Sequence, residues 1–265
     1  MTGRPTQWCP HWDGRHYADQ HAHHRAFDAW FLAGWHLPAD ARVLDVGCGD
    51  GAFTRRVAEL VGSGSVIGLD ASESMLTEAR AGAGTNQSFV HGPAQDLDDL
   101  LGDEPPLDVI ISRAALHWVA ESQHPGILAA MHRRLKPGGT LRLEFGGGDN
   151  VARMVATLDQ ISVGLGGPTA PWTFLEAGRY LGLVTAAGFS VDGGWVRTVA
   201  QRRSFDRDSL AGWLTSQCLQ AYTTSCDAAF AGAFEASVLS RLDDLRADDG
   251  SYDQIFVRLD VLARA

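Results

Sequence analysis

Two spacings of apolar residues alternate along the first half of the chain. From Ala22 to Leu37 the large apolar side chains fall at Phe27, Trp30, Phe31 and Trp35, one face of a helix, and Pro38-Ala39-Asp40 stops it. Arg42–Val46 is a short β-branched run, followed by Gly47-Cys48-Gly49-Asp50-Gly51 and a helix with Phe53, Val57, Leu60 and Val61 on one side. Strand patterns recur at Ser65–Asp70, Ser88–His91, Leu107–Ser112 and Thr140–Phe145, with helical patterns at Ser72–Ala81 and Ile127–Leu135. This alternation predicts an α/β fold, a mostly parallel sheet covered on both faces.

After Gly146 the rhythm changes. Asn150–Val163 and Phe174–Ala187 read as helices, Phe189–Ala200 carries a strand, 206–248 looks wholly helical, and Tyr252–Leu262 alternates as a closing strand. Three regions follow: an arm and helix over 1–37, a core over 38–145, and cap helices with the last strands over 146–265. The cap helices are expected from 146–187 and 204–250.

The glycine turn between the first strand and the next helix is the chemical signal. Glycines let backbone approach a ligand, and a helix N-terminus offers unpaired N–H donors. Asp70 ends the second strand 19 residues after Gly51, where a carboxylate grips the two hydroxyls of a ribose. Gly47-x-Gly49-x-x-Ala52 also satisfies the dinucleotide fingerprint, so a nicotinamide oxidoreductase is a rival reading. Asp45 argues against it: a carboxylate there repels a pyrophosphate but suits the ammonium of an amino-acid moiety.

Three motifs resemble the class I S-adenosylmethionine-dependent methyltransferases: Val43-Leu44-Asp45-Val46-Gly47-Cys48-Gly49-Asp50-Gly51, Gly68-Leu69-Asp70-Ala71-Ser72-Glu73-Ser74-Met75-Leu76 and Leu135-Lys136-Pro137-Gly138-Gly139. Ala114-Ala115-Leu116-His117-Trp118, Trp12-Asp13-Gly14-Arg15-His16-Tyr17 and Val257-Arg258-Leu259 are similar to the trans-aconitate methyltransferase-like branch. The resemblance implies a Rossmann-like seven-stranded, mostly parallel sheet with a helical cap, S-adenosylmethionine as cofactor and S-adenosylhomocysteine as product. By position, Gly47, Gly49 and Gly51 face the methionine part. Asp70 holds the ribose, and Ala71 and Met75 flank the adenine. In Gly92-Pro93-Ala94-Gln95-Asp96, Pro93 stands where the family often has Asp, so Ala94 with Gln95 or Asp96 takes the adenine contact. Ser112 and Arg113 meet the methionine end and the methyl group.

Composition narrows the partners. Lys and Arg total 22 against 32 for Asp and Glu, a net charge of −10, which disfavours a broad nucleic-acid surface. No apolar run suits a membrane span and no secretory leader is evident, so a cytoplasmic enzyme is expected, its oligomeric state open. Cys9, Cys48, Cys218 and Cys226 form no CxxC pair, and Cys48 reads as a space-filler. His11, His16, His21, His23 and His24 lack a metal-site pattern, so no metal is expected.

Catalytic candidates are His117, on the rim after the fourth strand, where it could take a proton, and Tyr17 and His21 in an arm that the resemblance implies crosses the top of the sheet. Trp12, Trp118, Trp172, Trp195 and Trp213 are candidates for an aromatic pocket, and Arg202, Arg203 and Arg207 for a carboxylate grip, though no arginine cluster for a tricarboxylate is evident. The expected reaction is in-line methyl transfer to a small molecule, either a natural-product intermediate or a small carboxylate. Cyclisation on the same cofactor is a competing reaction. A nonenzymatic binding module also competes, and the intact glycine turn argues against it.

Overall fold

A computed structural model describes residues 25–265; the arm, with Tyr17 and His21, lies outside them. The first described helix is α1 (Arg25–Leu32). Then β1 (Arg42–Val46), α2 (Ala52–Leu60), β2 (Ser65–Asp70), α3 (Glu73–Ala81) and β3 (Gln87–His91) alternate. A short α4 (Leu97–Leu101), β4 (Leu107–Arg113), α5 (His124–Arg134) and β5 (Leu135–Gly146) continue the pattern. The sheet has seven strands in the order β3-β2-β1-β4-β5-β7-β6, where β6 is Ser190–Arg203 and β7 is Gln254–Arg264. β1 to β5 run parallel and β7 runs antiparallel to both its neighbours. Strand order reverses between β1 and β4, which opens a crevice at the carboxyl ends of those strands.

Burial explains the core. Val43, Val66, Val109 and Ile111 meet Phe31, Val57 and Val61 on one face. Leu44, Ile67, Ile110, Leu141 and Leu143 meet Leu128, Met131, Tyr180 and Val184 on the other. Both faces of the central strands are covered, so they read as continuous apolar runs.

The second half departs from the expected pattern. Residues 174–176 are not helical: Leu175 bridges Gly147, and the helix is α7 (Ala177–Ala186). Its Tyr180 and Val184 sit in the sheet core, so α7 covers the sheet instead of the site. The expected helical stretch 206–248 is broken. α8 (Arg207–Trp213) runs into a π turn (Leu214–Cys218) and α9 (Gln220–Thr223). Asp227 then starts α10 (Ala228–Ser240) by accepting the Phe230 N–H at 2.8 Å. With α6 (Ala152–Gly164), these helices build a core of their own around Met154, Leu158, Leu210, Leu214, Tyr222 and Phe234. That second core is the cap.

Under α1 the sheet carries charge. Arg142 and Asp260 are both buried and ion-paired across β5 and β7; Arg142 also donates to the Phe31 carbonyl at 3.1 Å and lies over the Phe31 ring at 4.3 Å. Removing one partner strands a buried charge. Asp260→Ala is therefore expected to lower urea-unfolding stability by about 3–5 kcal/mol. The double change Arg142→Met with Asp260→Leu should cost clearly less. Equal losses in both variants would contradict a paired burial.

Candidate active site

β1 delivers its chain into a turn that L-residues with side chains resist. Gly47, Gly49 and Gly51 have φ of 76°, 57° and 72°. A Cβ at Gly47 would come within 2.1 Å of the Ala115 Cβ. The Gly47 and Cys48 N–H groups donate to the Leu69 carbonyl at 2.7 and 3.1 Å, tying the turn to the end of β2. Cys48 is buried against Leu76, Ala79 and Phe89.

Two carboxylates sit under this turn. Asp45 is buried and accepts the Thr54 hydroxyl at 2.7 Å; desolvation lifts its pKa to about 6. Asp70 accepts from the Gly49 and Ser72 N–H groups at 2.9 and 2.8 Å, and burial raises its pKa too. Met75 is buried with its methyl group against Gly49, and Ala71 is exposed beside it. Ala94 and Gln95 are half-buried, Gln95 donating to Gln123 at 2.8 Å, and Asp96 is exposed.

Two of the expected residues have partners within the protein. Ser112 is fully buried, and its hydroxyl donates to the Val46 carbonyl at 2.7 Å. It ties β4 to β1, and that bond takes its one proton. Arg113 pairs with Asp28 of α1 and lies 3.6 Å from Glu144 of β5, while its guanidinium covers the Phe53 ring at 5.0 Å. It lines the neighbouring cleft.

That cleft, between the sheet top and the cap, encloses about 840 Å³ of space, part of it open to solvent. Strain marks its rim. Ala114 and Val151 both line it with positive φ, 58° and 46°. A β-branched residue in that conformation is held by its surroundings: the Val151 N–H donates to the Ile255 carbonyl at 2.9 Å, and the Asn150 side chain accepts the Val257 N–H at 3.0 Å. The π turn directs Gln217 and Cys218 to the same space.

Two runs of rings line the cleft. In one, Trp172 stacks on Phe174 (5.9 Å) and meets Trp118 edge-on (5.5 Å), with His117 beside Phe174 at 5.7 Å. In the other, Trp213 meets Phe256 at 5.3 Å. Trp195 lies elsewhere, beside Arg142 and Arg197. Burial, with Arg258 and His124 as the nearby charges, pushes the His117 pKa down to about 3. The imidazole is neutral at physiological pH and too weak a base to ionise a hydroxyl; its Nδ1 is closed off from solvent with no hydrogen-bond partner among the described residues.

Arginines converge here that the sequence did not show as a cluster. Among the described residues, Arg113, Arg203 and Arg258 line the cleft with a single carboxylate, Glu144. Glu144 is buried and pairs with Arg258. Arg202 and Arg207 are surface residues: Arg202 pairs with Asp249 and Asp253, and Arg207 reaches the Leu239 carbonyl at 3.5 Å.

Residues 43–139 match a family model described as a methyltransferase domain. A trans-aconitate 2-methyltransferase of Streptomyces avermitilis is 32% identical over 245 residues, 86% of each chain. This chain belongs to the class I S-adenosylmethionine-dependent methyltransferases. A second trans-aconitate 2-methyltransferase, from Methylobacterium nodulans, is 29% identical over 96% of this chain and 98% of its own. The match to the one from Deinococcus radiodurans, 35% identical, spans about half of each chain (49% and 48%). The solved structure of YcgJ from Bacillus subtilis shares the fold, with a TM-score of 0.61 at 17% identity over 91% of this chain and 98% of its own.

The cofactor of this methyltransferase is S-adenosylmethionine. The site fits it. The glycine turn leaves room for backbone approach, and the buried Asp45 and half-buried Asp70 form no ion pair among the described residues, which suits a ligand carrying ammonium and sulfonium charges. Among the described residues no group of His, Cys, Asp or Glu could hold a metal ion, and no helix is long and apolar enough to cross a membrane.

Asp45 gives a pH signature. Its folded pKa is raised, so between about pH 4 and 6 the folded protein keeps a proton that the unfolded chain has released. Stability falls as pH rises through that window, and the full penalty stands above it. Asp45→Asn is expected to stabilise the cofactor-free protein at pH 7.5 by up to about 3 kcal/mol. The gain should vanish near pH 4, and the variant should bind S-adenosylmethionine more weakly. Urea unfolding across pH and calorimetry check both; a gain that is constant with pH would contradict the ionised Asp45.

Proposed function

We propose that this methyltransferase esterifies a small carboxylic acid, the methyl group landing on a carboxylate oxygen. The observation that carries this reading is a cleft whose described lining holds three arginines, a single carboxylate that two of them engage, and one imidazole, His117. His117 is neutral with a pKa near 3. Burial pushes the Cys218 thiol far above its usual range, and Glu144 is held by Arg258 and Arg113. An alcohol or phenol must lose a proton in order to attack. A carboxylate is already ionised and brings the negative charge that the arginines favour. The relatives named for trans-aconitate, itself a carboxylate, support the same acceptor class.

When bound, S-adenosylmethionine supplies a methyl carbon to the acceptor oxygen as its carbon–sulfur bond breaks, the electron pair stays on sulfur, S-adenosylhomocysteine departs and no proton has to be removed. The residues around it bind and orient. Gly47, Gly49 and Gly51 give backbone access. Asp45 would face the positive end of the cofactor, and Asp70 would offer its remaining lone pairs to the ribose. Ala71 and Met75 would border the adenine, with Ala94, Gln95 and Asp96 along its edge. Arg258 and Asn150 draw the acceptor carboxylate toward the cofactor side of the cleft, and His117 offers a neutral hydrogen bond. The rings exclude water, which strengthens each charge interaction. Holding the two reactants in line accounts for most of the rate.

An enzyme with no titrating base has a flat pH profile. With S-adenosylmethionine saturating and a panel of carboxylic acids as acceptors, methyl-ester formation should vary less than about threefold between pH 6.5 and 9. His117→Gln should keep activity within about tenfold of the parent. A rate that rises tenfold per pH unit, or that His117→Gln abolishes, would show that a base is required.

A further inference from the structure

We propose that Arg203 anchors a second anionic group at the end of the acceptor remote from the cofactor, and that the acceptor body between is flat and apolar. The ligand class is a diacid with an aromatic or unsaturated spacer, as opposed to a short polar tricarboxylate. This rests on the acceptor being an acid.

The charges in the cleft set Arg203 apart. Arg113 is paired with Asp28 and Glu144, and Arg258 with Glu144. Among the described residues Arg203 has neither a carboxylate partner nor a side-chain hydrogen bond; its guanidinium lies 4.4 Å from the Phe205 ring centre and 5.8 Å from that of Phe256. Cation–π contact with the rings holds the guanidinium in place without spending its N–H donors, which are left to grip a carboxylate with two hydrogen bonds.

Strand register sets the distance. Arg203 pairs with Gln254 on β7, whereas Arg258, four residues further along β7, pairs with Gly146 at the end of β5. Arg203 therefore stands about 13 Å of strand rise beyond that level. Ala114 and His117, after β4, mark the cofactor side of the same cleft. The lining contributed by Trp118, Trp172, Phe174, Trp213 and Phe256 is aromatic. A charge placed among those rings would lose its water and find no partner.

Binding is read from tryptophan fluorescence on protein saturated with S-adenosylhomocysteine, with 4-carboxycinnamate, cinnamate and trans-aconitate as probes. The diacid should bind at least about tenfold tighter than the monoacid. Arg203→Gln should erase that difference while leaving cinnamate and S-adenosylhomocysteine within about twofold of the parent. Arg203→Lys, which keeps the charge and loses the fork, should fall between. Equal affinity for diacid and monoacid in the parent, or a preference that survives in Arg203→Gln, overturns the anchor. Tighter binding of trans-aconitate than of 4-carboxycinnamate overturns the flat apolar body. Product analysis separates the two readings: Arg203-dependent binding without ester leaves the anchor standing and removes esterification, and ester formation indifferent to Arg203 does the reverse.

Discussion

Glu144 is buried at the end of β5, on the face that also carries Arg142. A carboxylate there is tolerable because positive charge meets it from two strands, Arg258 on β7 and Arg113 on β4. Asp28 on α1 completes the chain by pairing with Arg113. This one arrangement locks the first described helix onto the sheet, fixes the two strand ends that border the cleft and holds two of its three arginines in place. The behaviour of the third, Arg203, follows from what the first two are already doing.

The charges on the two sides of the crevice are opposite in sense. Under the glycine turn, the buried Asp45 and half-buried Asp70 have pKa values raised by desolvation, and neither forms an ion pair among the described residues. Across the end of β4 the cleft has a surplus of arginine. A cationic methyl donor fits the first and an anionic acceptor fits the second. Bringing opposite charges together in a space walled by rings favours their approach without any group having to move a proton. A neutral His117 is at home there, since a charged imidazole would add to the arginines.

How much of this is legible in the sequence follows the range of the interactions. The core is legible, because strand and helix spacings and the glycine turn are local. Ser112 is not, since its hydroxyl is taken by the Val46 carbonyl, a partner 66 positions away. The break in 206–248 is partly visible, because Ser225-Cys226-Asp227 carries the N-cap signal that starts α10, but no local feature marks the π turn at Leu214–Cys218. Arg203 and three of the cleft tryptophans are candidates from the sequence. The cluster is not, because Arg113, Arg203 and Arg258 come together through the antiparallel placing of β7 between β5 and β6. Arg202 illustrates the same limit: adjacent to Arg203 in the chain, it points to the surface and pairs with Asp249 and Asp253.

The central claim concerns the atom that receives the methyl group, and the chemistry of the product decides it. Methyl-labelled S-adenosylmethionine incubated with the enzyme and a cell metabolite extract gives a labelled small molecule, which is then treated with mild alkali. The account predicts that the label is released as methanol, as it is from a carboxylate ester. Label that stays on an alkali-stable ether, amine or carbon-bound methyl group would contradict it.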